Sequence, residues 1–230
     1  MTIIDDVVGF IGTAEPPSDA MSAAAEQLDT VQTVVRRDDL AVKSAHPAGR
    51  PTAMNLAWQV AITAADAPRS FDVPGWPVVA AAVVALQGDS ASNDEAATEA
   101  VAVGTAVAKQ VVDALDSTVA AQRWSRVGVA GVIGAGAAAG RLLRLDETAL
   151  RNLLGLCATQ AAGLDAVDGS PTGVLQAAKA AADAVEAAVL AQCGFTSSVD
   201  GFGGRRALLA LMAPGADWAT GGTWATTTGR

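Results

Sequence analysis

The sequence predicts an all-α fold, a multi-helix bundle, and three observations carry that prediction. Hydrophobic residues make up 51% of the 230 residues, aromatics only 4%, and there is no tyrosine. Much of the apolar content is alanine, the strongest helix former, which favours thin, closely spaced helices over a sheet sandwich built on large residues. Apolar residues recur at helical spacing in one segment after another, each bounded by a capping residue, a proline or a glycine. No convincing strand pair and no fixed-period repeat breaks that pattern.

The elements follow in order. Ile3, Ile4, Val7, Val8 and Ile11 share one helical face, and Pro16-Pro17 closes that unit. Ser18 is placed to cap a second helix running to about Arg36, with Met21, Ala24, Ala25 and Leu28 on its apolar stripe. Residues 38–50 are polar, end in His46-Pro47-Ala48-Gly49, and read as a surface loop. Thr52 opens an apolar helix through Trp58 that must stop near Ala67, because Pro68 follows. Pro77 sits where a helix favours its first residue, and the helix continues through Gln87 to Gly88. Ser92-Asn93-Asp94-Glu95 has capping-box spacing and starts a long helix to about Leu115.

Val127 to Leu145 is a glycine- and alanine-rich helix, and Asp146 caps the next one, through Gln160. Val174 to Gln192 forms another, with Gly194 as its C-terminal cap. A short helix, Arg205 to Met212, precedes Pro214. The domain thus spans 1–214, and 215–230, rich in Thr and Gly, reads as a flexible C-terminal tail.

Composition excludes several function classes. The formal charge is −9, with 15 Lys+Arg against 24 Asp+Glu, so no basic face is available to neutralise a nucleic-acid backbone. The start, Met1 to Asp6, is acidic where a signal peptide would be basic. The longest uncharged apolar run, Val127 to Gly140, falls short of the roughly 20 residues a membrane span needs. Cys157 and Cys193 lie in apolar helical contexts, as in a reducing compartment. Together these features predict a cytoplasmic protein with no nucleic-acid or membrane partner.

Few motifs carry chemistry. Gly134-Ala135-Gly136-Ala137-Ala138-Ala139 satisfies the G-x-G-x-x-A form of a dinucleotide fingerprint. The context fails, because Leu150 to Gly163 is helical and lacks the acidic residue that should close a second strand. Small residues that admit a neighbouring backbone explain the run better. His46 is the only histidine and the two cysteines lie in apolar contexts, so no zinc or iron site is expected, and the loop of His46 reads as solvated. Cys157 has no activating base in sequence. Asp66 ends an apolar helix just before Pro68, Arg69 and Ser70, whereas Asp165 and Asp168 read as turn and cap residues around Gly163 to Gly169. No cofactor and no metal is expected.

These segments, in this order, resemble the MmgE/PrpD family, which includes 2-methylcitrate dehydratase, cis-aconitate decarboxylase and an iminodisuccinate epimerase. The strongest likeness is Gly131 to Leu145 with Asp146-Glu147, followed by Ala158-Thr159-Gln160-Ala161-Ala162-Gly163-Leu164. These are similar to the family's glycine/alanine-rich helix, "LLGLD" turn and "A-x-x-Q-A-x-G-L" segment. Gly169-Ser170-Pro171-Thr172, then Ala187 to Ala191 and Gly194-Phe195-Thr196, resemble its "GS-x-T-K … AA-x-LA-x-x-GFTG". Leu28-Asp29-Thr30 resembles "LLDTLG", and Ala100 to Gly104 resembles "AYVVG".

The resemblance implies the family's helical domain, without the smaller α+β domain that follows it in longer members and closes the active site. It also implies losses. The family's "HALDFDD" falls on Thr63 to Arg69, so its histidine is Thr63 and only its first aspartate survives, as Asp66. The histidine of "GFHPTGTAG" falls on Ser125, and the lysine after "GS-x-T" falls on Gly173. Dehydrating or decarboxylating a polycarboxylate needs an acid, a base and cations. Asp66 and Ser125 are then the catalytic candidates, and Arg69, Ser70, Arg123, Arg126 and Thr172 the substrate-binding ones.

Three functions fit this pattern. The chain is a divergent enzyme performing lyase or isomerase chemistry on a small carboxylate or related metabolite. Alternatively it is one subunit of a split enzyme whose partner chain supplies the missing domain, or a non-catalytic binding or scaffold protein. A homodimer is expected, because alanine- and glycine-rich helices suit close packing between subunits.

Overall fold

A computed structural model describes residues 2–38, 57–58, 60–61, 73–87, 94–119, 123–218 and 224. Among them the regular elements are α1 (Ile3–Thr13), α2 (Ser18–Asp38), α3 (Trp76–Gln87), α4 (Asp94–Asp116), α5 (Arg126–Leu142), α6 (Glu147–Gln160), α7 (Pro171–Gln192) and α8 (Leu208–Met212). A 3-10 turn, Asp165–Val167, lies between α6 and α7. The only β feature among the described residues is an isolated antiparallel bridge between Trp124 and Leu164. The all-α prediction therefore holds. None of these helices is long and apolar enough to cross a membrane.

Helix α5 is the axis of the bundle. Every residue from Gly128 to Gly140 is buried, because α3, α4, α6 and α7 pack around it and α1 touches it from outside. A helix apolar all round has no face to offer water, so it must sit inside. The glycines set the spacing to α4. A Cβ on Gly104 would lie 2.5 Å from the Gly134 carbonyl oxygen, and one on Gly134 would lie 2.6 Å from the Gly104 carbonyl oxygen. The two backbones are in contact. The G-x-G-x-x-A run is thus buried helix interior, far from a helix N-terminus, and its small residues serve packing.

Around this axis the helices are amphipathic in the usual way. α1 buries Ile4, Val7, Val8 and Ile11 and opens with a capping box. In it the Asp5 amide donates to Thr2 Oγ1 at 3.3 Å and the Thr2 amide to Asp5 Oδ2 at 2.7 Å. One buried polar pair links α2 to α4: Thr105 Oγ1 donates to Gln27 Oε1 at 3.2 Å. Such a pair inside an apolar bundle fixes the register of the two helices.

Several expected boundaries move for identifiable reasons. The Met21 amide donates to the Pro17 carbonyl at 3.0 Å, so Ser18 is the first helical residue of α2 and not its cap. α5 ends at Leu142, short of Leu145, because Arg144 turns left-handed at φ 52 and the Leu145 amide closes onto the Gly140 carbonyl at 3.0 Å. α7 starts at Pro171 and not Val174: Ser170 caps it, its hydroxyl accepting the Gly173 amide at 3.3 Å. The Arg205 start expected for α8 moves to Leu208. Asp146 caps α6 as expected, accepting the Ala149 amide at 2.8 Å, and Gly194 ends α7 at φ 82.

Asp38, expected to open the loop at 38–50, is instead the last residue of α2, and residues 39–50 and most of the helix 52–67 lie outside the described residues. Ala57, Trp58, Val60 and Ala61 are helical, and all but Trp58 are buried. Downstream of Pro214, Trp218 stands edge-on to Phe202 at 5.4 Å and Trp224 lies 5.2 Å from Phe10. Both tryptophans pack against the core, where composition alone suggested a loose tail.

Candidate functional site

α4 and α6 end, and α5 and α7 begin, at one end of the bundle, and the polar candidates gather there. Ser125 is the N-cap of α5. Its hydroxyl accepts the Gly128 amide at 3.0 Å and donates to Asp168 Oδ1 at 2.6 Å, and its own amide donates to the Gly163 carbonyl at 3.1 Å. The residue is fully buried, at 0% exposure. It therefore braces the start of the central helix against the 3-10 turn, and the helix dipole favours the Asp168 carboxylate in that place. A hydroxyl so enclosed has no open approach for a substrate.

Arg126 extends the brace. Its Nε donates to Asp116 Oδ1 at 2.6 Å and its Nη1 to Asp165 Oδ1 at 2.7 Å, tying the end of α4 to the 3-10 turn. Two carboxylates thus already hold this guanidinium. Arg123 is exposed and carries no ion pair among the described residues, so it is the cation at this end open to an anion. Thr172 is exposed on the first turn of α7, beside the Ser170 cap. Asp66, Arg69 and Ser70 lie outside the described residues.

Two functional-end residues escaped the sequence reading. Gly163 adopts φ 122, and a Cβ there would fall 2.1 Å from Gln176 Oε1. Gln176 in turn clasps Leu164 by its backbone: Oε1 accepts the Leu164 amide at 2.9 Å and Nε2 donates to the Leu164 carbonyl at 3.5 Å. Its partners are main-chain groups brought close only by the fold, so no motif announces it. Asp165 and Asp168, read as turn residues, are also the acceptors that position Arg126 and Ser125.

Together Gly128, Gln160, Gly163, Gln176 and Lys179 help to line a hollow of about 80 Å3, room for little more than a few waters. Cys157 on α6 is fully buried, and burial, reinforced by the charge of Asp183, pushes its thiol well above the usual range. That thiol is no nucleophile at neutral pH. On the segments that meet at this end, Val119, Leu164 and Leu175 are apolar side chains more than half exposed.

The MmgE/PrpD N-terminal domain matches residues 72–221, well over half of the chain. The chain belongs to the MmgE/PrpD family. No curated protein matches it. The matched span runs from just before α3 to beyond α8, so it includes Arg123, Ser125, Arg126 and Thr172. Asp66, Arg69 and Ser70 precede it. In this MmgE/PrpD domain the described polar groups support one end of the bundle more than they form a pocket.

Proposed function

We propose that this MmgE/PrpD chain forms the helical half of a lyase- or isomerase-type site for a small carboxylate. The observation that carries the reading is the end of the bundle around Ser125. There a rigid polar brace lies beside the open Arg123 and a hollow of only about 80 Å3, and Val119, Leu164 and Leu175, on the segments that meet at this end, leave apolar side chains more than half exposed. Exposed apolar groups at an end that holds only a small hollow suit a surface that another folded unit covers. That unit would complete the site and add cations and acid–base groups to those of this chain, whether it sits on a partner chain or elsewhere.

Within the chain, Asp66 is the group proposed to move protons, since the positions of the family's histidines and lysine hold Thr63, Ser125 and Gly173. Arg123 is the proposed carboxylate anchor, with Arg69, Ser70 and Thr172 beside the substrate. Ser125 and Arg126 serve as positioning groups for the turn that carries Asp165 and Asp168. A homodimer is proposed as the frame, in line with the close helix packing.

The test uses the protein purified gently from its own source, assayed against hydroxy-polycarboxylates for appearance of an unsaturated product. Asp66→Ala should abolish turnover while leaving thermal stability unchanged. If Asp66→Ala keeps full activity, the acid–base assignment is wrong. The complete burial of the Ser125 hydroxyl favours a second reading, a non-catalytic scaffold. Under that reading no carboxylate stabilises the protein and no turnover appears.

A further inference from the structure

A second concave site lies at the opposite end of α5. Seventeen residues of helix place it about 25 Å from Ser125. Between α1, α4 and the turn after α5 the chain leaves a cleft of about 360 Å3, whose lining includes Ile11, Glu99, Arg141, Leu142, Arg144 and Leu145. This is room for a small metabolite.

Its two arginines differ in kind. Arg141 donates to the Ile11 carbonyl at 2.8 Å, to the Ala14 carbonyl at 3.0 Å and to Glu99 Oε1. It is fixed wall, its charge matched by Glu99. Arg144 is exposed; its amide donates to the Arg141 carbonyl at 3.1 Å, but its guanidinium makes no hydrogen bond or ion pair among the described residues. It is also the only non-glycine among them with a positive φ, 52°, in a turn that a glycine would fill without strain. The turn itself gains nothing from a guanidinium there, and Arg141 already places a cation at the helix C-terminus. Strain of this kind at the wall of a cleft points to a ligand.

Charge and wall chemistry define that ligand. Two arginines against one glutamate leave the lining at a formal +1, which matches one carboxylate. A dianion would meet repulsion from Glu99. Beside Arg144 the half-buried Leu142 and Leu145 offer an apolar strip. We propose that this cleft binds a small organic monocarboxylate, its head on the Arg144 guanidinium and its carbon chain against Leu142 and Leu145. The site is independent of the one around Ser125.

The test is an NMR titration of the full chain with pentanoate, acetate and inorganic phosphate. Pentanoate should bind saturably and shift the amides of Leu143, Arg144 and Leu145, with acetate and phosphate at least about tenfold weaker. Arg144→Gly should lose the pentanoate response while melting at or above the wild-type temperature, and Arg144→Lys should retain a weakened response. An undiminished response in Arg144→Gly, the absence of saturation in the wild type, phosphate binding more tightly than pentanoate, or shifts confined to the Ser125 end would each overturn the proposal.

Discussion

Gly163 holds a φ of 122°, and Gln176 Oε1 occupies the space a side chain would need. Gly163→Ala therefore strains the backbone and displaces the clasp on Leu164 together, at a cost of about 2–4 kcal/mol. Urea unfolding should show this as a lower midpoint at unchanged slope, and a cost below about 0.5 kcal/mol would show the clasp to be dispensable. Ser125→Ala removes one cap and one partner of Asp168, a loss of about 1–2 kcal/mol. The thiols report burial directly. Cys193 is exposed and Cys157 buried, so an aromatic disulfide reagent should titrate one thiol in the native protein and both in denaturant. Two thiols reacting equally fast under native conditions would contradict the core placement of Cys157. Asp5 reports pH. Its carboxyl is held down from 3.8 to about 2, first by the Thr2 amide and then by Arg151. A carboxyl depressed in the folded state stabilises above its unfolded value, and that contribution fades as pH falls from about 4 towards 2. Acid titration of helicity should show a loss in that window that Asp5→Asn lacks.

At the scale of elements, α4 and α5 meet backbone to backbone. Gly104→Ala would press a methyl to 2.5 Å from the Gly134 carbonyl and 2.6 Å from Ala138 Cβ, forcing two helices apart at a cost of about 3 kcal/mol or more. A variant melting like the wild type would mean that the helices are not in contact. Arg144→Gly moves the other way: relieving the left-handed residue should add about 1 kcal/mol. Most helices were legible because their signals are local, such as the i, i+3, i+4 face of α1 or the Asp146 cap of α6. The start of α7 was equally local, in Ser170-Pro171, but apolar periodicity that begins at Val174 obscured it. The candidate site was less legible. Ser125 and Arg126 stood out in sequence, but their partners Asp168, Asp165 and Asp116 lie 10 to 43 positions away. Gln176 acts on backbone, and tertiary placement alone gives it that role.

For the whole molecule, α5 divides the chemistry. Its N-terminal end carries the brace of Ser125, Arg126, Asp165 and Asp168, with the exposed Leu164 next to it in the chain, and its C-terminal end carries the Arg141–Arg144 cleft. The all-α architecture was readable from composition, caps and segment order, because an alanine-rich bundle around one glycine-bearing helix leaves a continuous pattern in the chain, and the family was suggested by the resemblance of motifs such as Gly131 to Leu145 and Ala158 to Leu164. The seating of Trp218 and Trp224 was not, since their partners Phe202, Asp6 and Phe10 lie across the fold. The central claim is that the Ser125 end is half of a site, completed by another folded unit. Native mass spectrometry of the protein purified gently from its own source tests it most directly. The account predicts an assembly whose mass exceeds whole multiples of this chain by a second folded unit. Only monomers or homodimers of this chain, with nothing else bound, would contradict it.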